Sequence, residues 1–492
     1  LKRILFLLRI ACTDISISSN FERISPKGKG WEETVSFIYK NKSEFFYKNF
    51  KLVLPILSTW CEYNDKGNTT RYSGLLATSL IEKSENEERF YIHNEEEDIL
   101  KIIFNASSQI KEELKKIFDV VLANKWTKHR NPYFGLCTKI LDKPYLAIKL
   151  IASLPLSVIQ LCDLFWQAQP VEDDDSIFDS YRRDSMEDRY GLSDDHHFRY
   201  FPSSANQTPI KWLLQIAFHE TLDFIVDFTN RSVETYSESD YGKEDVIQVS
   251  LNIEGKEVTQ YLSWSIWSMY RGNGSPVVPG ILQSIHMALE AILLNISKQI
   301  DSESELTGFK NILLKILTQS KSASLTAVVT SIVLADPDKY YSIALILFNT
   351  IELLKFDLIR KTKESTAIYL IGSGIDPVSD ILYSNERLKA CEDKHRKLCL
   401  ETLFFTYQFN GIKGFTEEQN NEFINKLYQI IDRHKSCPEK GKNFGILLAR
   451  MDKRNLIPKV TKQVDDKLLI EFETKELSDD LKQKSEQTTN QF

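Results

Sequence analysis

The stretch FHETLD, residues 218–223, comes within one residue of a zinc-peptidase helix. Such a helix sets two histidines four apart on one face, with the intervening glutamate as general base. Here His219 and Asp223 share that face and Glu220 stands between them, so a carboxylate would have to take the second ligand position. The surrounding residues read differently. Leu213, Ile216, Ala217, Thr221, Phe224 and Phe228 form a core stripe with Glu220 inside it, His219 and Asp223 lie on the polar flank, and no third-ligand motif follows. The expectation is an ordinary amphipathic helix with a surface His–Asp pair. The alternative is a metal-dependent hydrolase built on His219, Glu220 and Asp223, or on the acidic run Asp173–Asp175 with Asp179.

A second set of metal-type residues lies in CEDKHRKLC (391–399) and HKSC (434–437). On one helix spanning 385–409, Cys391, His395 and Cys399 would follow at single-turn intervals, with His434 and Cys437 approaching from the next helix. Structural zinc sites pair their ligands more closely, around a sharp turn. Cysteines on a helix that also presents Leu388, Leu398 and Phe405 are expected in the core, so Cys391, His395, Cys399 and Cys437 stand only as zinc candidates. The acidic run lacks the glycine and terminal glutamate of a calcium loop. DDHH (194–197) offers ligand types without a recognisable geometry. His286 and Glu290 sit one turn apart at the edge of the stripe Ile281, Ile285, Ala288, Leu289, Ile292 and Ile296, which predicts a helix-surface pair. No GxxxxGK[ST] loop, nucleophile elbow or kinase set occurs. No catalytic residue, cofactor or nucleotide site is therefore assigned.

The elements around these residues are predicted to be helices. The chain has 492 residues, 42% of them apolar and 27% charged, the balance of a folded globular protein. Only 18 Gly and 14 Pro are present, too few for a many-turned β-sandwich or propeller. The net charge of −7 gives no bulk attraction for nucleic acid or anionic membrane, and neither partner is expected. Seven cysteines without CxxC spacing read as free thiols of a cytoplasmic protein. The opening LKRILFLLRIAC resembles a signal peptide, but Arg9 interrupts the apolar run and no small-x-small cleavage site follows. Residues 1–25 are expected to end a preceding unit.

Helical periodicity marks an N-terminal region over 26–170. It includes helices within 31–61 and at 69–84, a long helix or helix pair at 95–125, and a stretch at 143–166 joined or kinked at Pro155. Residues 171–207 read as an acidic polar loop or linker. A central helical region, 208–365, opens at Thr208 as N-cap with Pro209 first in the helix. Its helices are expected near 279–299, 305–319, 322–335 and 338–361, the last capped by Asp338 and the third apolar on nearly every side. Inside this region the alternation Ile247, Val249, Leu251, Ile253 and the turn Glu254-Gly255 predict a β-hairpin at 246–261. A C-terminal helical region, 366–455, precedes a strand and polar tail, 456–492. The fold class is mainly α, with stacked antiparallel helices, solenoid or bundle-like, and a small inserted hairpin.

Three stretches, YFPSSANQTPIKWLLQIAFHETLDFIVDFTN (200–230), SIWSMYRGNGSPVVPGILQSIHMALEAILL (265–294) and SASLTAVVTSIVLADPDKYY (322–341), carry a further likeness, together with LPILSTWCEYNDKGNTTRYSGLLA (54–77). They resemble the helical region of very large bacterial ATP-binding proteins of the STAND (NACHT-like) type. The resemblance implies a helical sensor or scaffold arm placed after a P-loop ATPase, with ligand capture driving oligomerisation, and in many members a role in antiphage defence. It implies a protein partner, or other domains of the same longer chain, and carries over no catalytic residue. Tyr200, Phe201, Tyr270 and Arg271 are the residues expected at a contact surface, because aromatics and arginine dominate binding hot spots.

Overall fold

In a computed structural model, residues 3–4, 29–87, 90, 92–124, 133–168, 185–193, 200, 203–271, 278–364, 377–464 and 467–475 are described. Most of them lie in α-helices, and the paired strands form two small antiparallel hairpins. The described residues divide into two units. One comprises those within Leu1–Arg183, Leu192–Arg199 and Asn206–Ile225, the other those within Asp184–Gly191, Tyr200–Ala205 and Val226–Phe492.

In the first unit the aromatic-rich stretch near 31–61 forms helix Lys29–Lys40, a π-turn Lys42–Phe46 and helix Tyr47–Tyr63. Phe45, Phe46, Val53, Leu54 and Leu57 are buried there with Leu76 and Leu80 of helix Asn68–Asn86. The 95–125 stretch is a pair, Glu96–Ala106 and Lys111–Ala123, whose apolar stripes are buried. Three acids in the first turn of Glu96–Ala106 favour that start electrostatically. Pro155 stands first in helix Pro155–Trp166, with Leu154 alone separating it from helix Ile148–Ser153. Helix Ile210–Ile216 follows Pro209 as N-cap and carries no side-chain cap, so Thr208 does not play the role expected of it. Ala217 breaks the run before helix Phe218–Glu238 begins.

The second unit is built on two apolar helices packed together, Gly280–Lys298 and Ala323–Ala335. Residues 323–334 are all buried, as the all-round apolar pattern predicts. Gly280–Lys298 has the length and hydropathy of a membrane span, yet most of it is buried inside the protein, so here it serves as a core helix. Helix Glu303–Gln319 starts with a reciprocal capping box between Ser302 and Glu305. The single helix expected over 338–361 is two, Tyr341–Phe348 and Ile351–Glu364. Asp338 caps neither; its carboxylate accepts the Lys413 N–H at 3.0 Å.

The hairpin forms where alternation places it, as Ile247–Ile253 and Lys256–Leu262 in the register Leu251↔Val258. Its two-residue turn needs left-handed backbone at both positions, supplied by Glu254 (φ 51°) and Gly255 (φ 86°). Val249, Leu251 and Ile253 face inward. The strand expected within 456–492 is half of a second hairpin, Leu456–Val464 with Lys467–Thr474. Of the segment read as a polar loop, Ser185–Ser193 is structured: Ser185 caps a short helix, Met186–Arg189, and the Tyr190 ring stacks on Tyr236 at 4.3 Å. Asp173–Asp175, Asp179, the DDHH run and Phe201 lie outside the described residues.

Candidate functional site

A charged network is buried in the second unit, on elements that read as apolar. Glu290 projects from helix Gly280–Lys298 and is 2% exposed. Arg396, on the 3₁₀ turn Lys394–Lys397, answers it with two parallel N–H···O bonds of 3.0 Å, one to each carboxylate oxygen. Ser331 of helix Ala323–Ala335 donates its hydroxyl to Glu290 Oε1. Because that proton is committed, Ser331 Oγ accepts from His395 Nε2 at 3.1 Å, which fixes the proton on that ring nitrogen. Burial opposes charge on Glu290, but the Arg396 guanidinium, with His395 and Arg271, overrides it and holds the carboxyl far below the usual range.

A second group continues the network. On helix Ile351–Glu364 the spacing Asp357, Arg360, Glu364 puts all three on one face. Arg360 donates to Asp357 Oδ1 at 2.9 Å and to the carbonyls of Arg396 (2.9 Å) and Leu398 (2.5 Å). Asp357 Oδ2 accepts the Leu400 N–H at 2.8 Å, where the next helix starts. Arg271 donates Nε to Glu364 at 2.6 Å. Burial works against both guanidinium charges; Glu364 for Arg271 and Asp357 for Arg360 reverse it and hold both above the ordinary arginine value. Nearby, Arg387 donates to the Ser203 carbonyl, and Glu386 accepts from the Ser204 hydroxyl and from the Ala205 N–H at 2.9 Å. Ser203 and Ser284 bind the same short segment to helix Gly280–Lys298.

The arrangement clamps rather than reacts. Three donors occupy Glu290, leaving it no role as a base, and Arg360 is committed to two backbone carbonyls. The Ser324–His286 contact, 2.9 Å, has nucleophile–base geometry, but both residues are 0% exposed. His286 Nδ1–H donates to the Leu282 carbonyl, so Nε2 accepts from Ser324. Burial depresses its imidazole to about 4, the mark of a neutral core histidine.

His286 and Glu290 are thus core residues, not the helix-surface pair expected of them, because their helix is covered on nearly all sides. The contact-surface expectation is corrected likewise. Tyr200, Tyr270 and Arg271 are each 2% exposed and belong to the packed interior. Cys391, His395 and Cys399 do not share a helix. Chain 385–409 breaks into Pro377–Cys391, the 3₁₀ turn and Leu400–Asn410, and the break brings Arg396 to Glu290. Cys391 Sγ accepts from Arg271 at 3.7 Å, Cys399 meets Thr402 Oγ1 at 3.2 Å, and Cys437 is the N-cap of helix Pro438–Met451. His219, Glu220 and Asp223 are all exposed on helix Phe218–Glu238, so Glu220 lies outside the core stripe. Among the described residues no three His, Cys, Asp or Glu groups come together as a metal-holding set.

Periodicity missed Arg396, Ser331, Asp357, Arg360 and Glu364. A signal was present in Glu290 itself, a lone acid in the apolar run HMALEAILL that calls for a buried cation. The chain matches no protein-family model and no curated protein sequence.

Proposed function

We propose that this chain is a helical recognition segment of a larger STAND-type ATP-binding protein, working in the cytoplasm through protein contacts, with antiphage defence as its setting. The observation that carries the reading is where the similar stretches fall. Ser203–Ala205, the Trp264–Arg271 turn, helix Gly280–Lys298 and helix Ala323–Ala335 meet in one packed core, tied by Ser203 to Gly280, Ser284 to Ser204 and His286 to Ser324. Two of the similar stretches, 265–294 and 322–341, thus share the second unit, while 54–77 and most of 200–230 fall in the first. The second unit's buried charges are engaged with one another and with backbone, as suits a rigid arm that positions other surfaces.

The test is made on the product of the complete reading frame that contains this chain. Light scattering and ATP hydrolysis are measured with and without ATP and lysate from phage-infected cells. A GxxxxGK[ST] loop encoded before Leu1, with mass rising only when ATP and lysate are both present, is the expected result. A complete frame without such a loop overturns the STAND reading.

A further inference from the structure

In the first unit, a cleft of about 250 Å³ carries two carboxylates that form no ion pair with any described residue. Its floor is apolar, made by Ile81 from the end of helix Asn68–Asn86 and by Ile99 and Leu100 from helix Glu96–Ala106, all buried. Its rim carries Glu85, Glu96 and Tyr133. The Tyr133 N–H donates to Glu85 Oε1 at 3.2 Å and steadies that carboxylate. Glu96 reaches across Gly135, where a Cβ would stand 3.5 Å from its Oε1. Neither glutamate forms an ion pair with a described residue, and the nearby Lys83 is engaged with Glu87 and with the rings of Tyr47 and Phe90. Burial and the charges of Glu82 and Glu85 raise the Tyr133 phenol, which keeps it neutral.

An apolar floor under two carboxylates and a phenol ring fits an alkyl stem that ends in a cation. A neutral apolar guest would strip water from the rim without replacing it, and an anion would be repelled. We infer that the cleft takes a lysine or arginine side chain presented by a partner protein, with the stem on Ile81, Ile99 and Leu100 and the cation between Glu85 and Glu96. The identity of the occupant as a protein rests on the recognition reading above; the preference for a cation does not.

The chain, methyl-labelled at isoleucine, is titrated with a short Gly/Ser peptide bearing one central lysine and with the same peptide bearing norleucine. Saturable shifts of the Ile81 and Ile99 methyls are expected with lysine, about tenfold weaker with norleucine and in Glu85→Gln/Glu96→Gln. Both substitutions lie at accessible rim positions, and an unchanged melting curve establishes that the variant folds. Equal binding of norleucine, equal binding by the double variant, or no saturation overturns the cation preference. Spermidine binding far more tightly than the lysine peptide overturns the protein occupant. Failure of the peptide titration, with ATP-dependent assembly of the full-length protein intact, sinks the cleft alone and leaves the recognition reading standing.

Discussion

Glu290 and Arg396, 106 positions apart, form a two-pronged ion pair in which neither side chain is more than 4% exposed. Removing one member leaves the other charged and buried, which costs about 3–5 kcal/mol. Glu290→Gln and Arg396→Met are each expected to lower stability by that order in urea titrations. The double variant should lose less than the sum, because it strands no charge. Strict additivity would show that the two side chains do not work as a pair.

His286 makes stability depend on pH. Its imidazole falls from 6.5 to about 4 on folding, so the folded state binds fewer protons than the unfolded one across that interval. The stabilisation is complete above pH 6.5 and drains away as pH drops towards 4, by about 3 kcal/mol in all. His434, lowered chiefly by burial, acts in the same direction. Glu290, held low, adds its own loss only in stronger acid. His286→Gln should flatten the slope between pH 6.5 and 4 while the remainder persists; an unchanged slope would assign it to other groups.

Periodicity and turn chemistry suffice for what is local. The Glu254-Gly255 turn, the all-round apolar helix Ala323–Ala335 and the join at Pro155 were all legible, because each depends on neighbours within a few residues. What escaped depends on partners far along the chain. Arg396 bends the chain out of helix to reach Glu290, and Arg360 holds that bend by its carbonyls. No pattern confined to 385–409 contains this. Tyr270 and Arg271 looked like surface anchors for the same reason: their residue types favour interfaces, while Glu364, which covers Arg271, lies 93 positions away.

Two helical glycines test packing against propensity. Gly308 in helix Glu303–Gln319 has open space where a Cβ would go, so Gly308→Ala should raise stability by about 1 kcal/mol. At Gly74 a Cβ would stand 2.9 Å from Ala106 Cβ and from Ile110 Cγ2, both buried. There the clash, worth about 1–3 kcal/mol, outweighs the propensity gain, and Gly74→Ala should destabilise. Thermal melts of the two variants should move in opposite directions; a shared rise would mean the Gly74 contact relaxes freely.

Gln260 holds the inserted hairpin to the helices. The side chain is fully buried, its Nε2 donates to the carbonyls of Leu317 (3.2 Å) and Ser320 (3.1 Å), and its Oε1 accepts from Thr326 at 2.6 Å. The Tyr261 N–H extends the attachment, donating to the Lys321 carbonyl at 2.7 Å. A two-stranded hairpin is marginal without such support. Gln260→Ala removes three bonds and leaves the Thr326 hydroxyl and two carbonyls buried without that partner, at about 1–3 kcal/mol for each group left unsatisfied. Gln260→Glu keeps the acceptor for Thr326 but turns a carboxylate towards the same two carbonyls, so it should rescue nothing. Hydrogen exchange should quicken in Ile247–Leu262 in both variants and stay slow in helix Gly280–Lys298, because the core does not depend on the hairpin. Uniform quickening through both elements would mean that the hairpin and the core open as one.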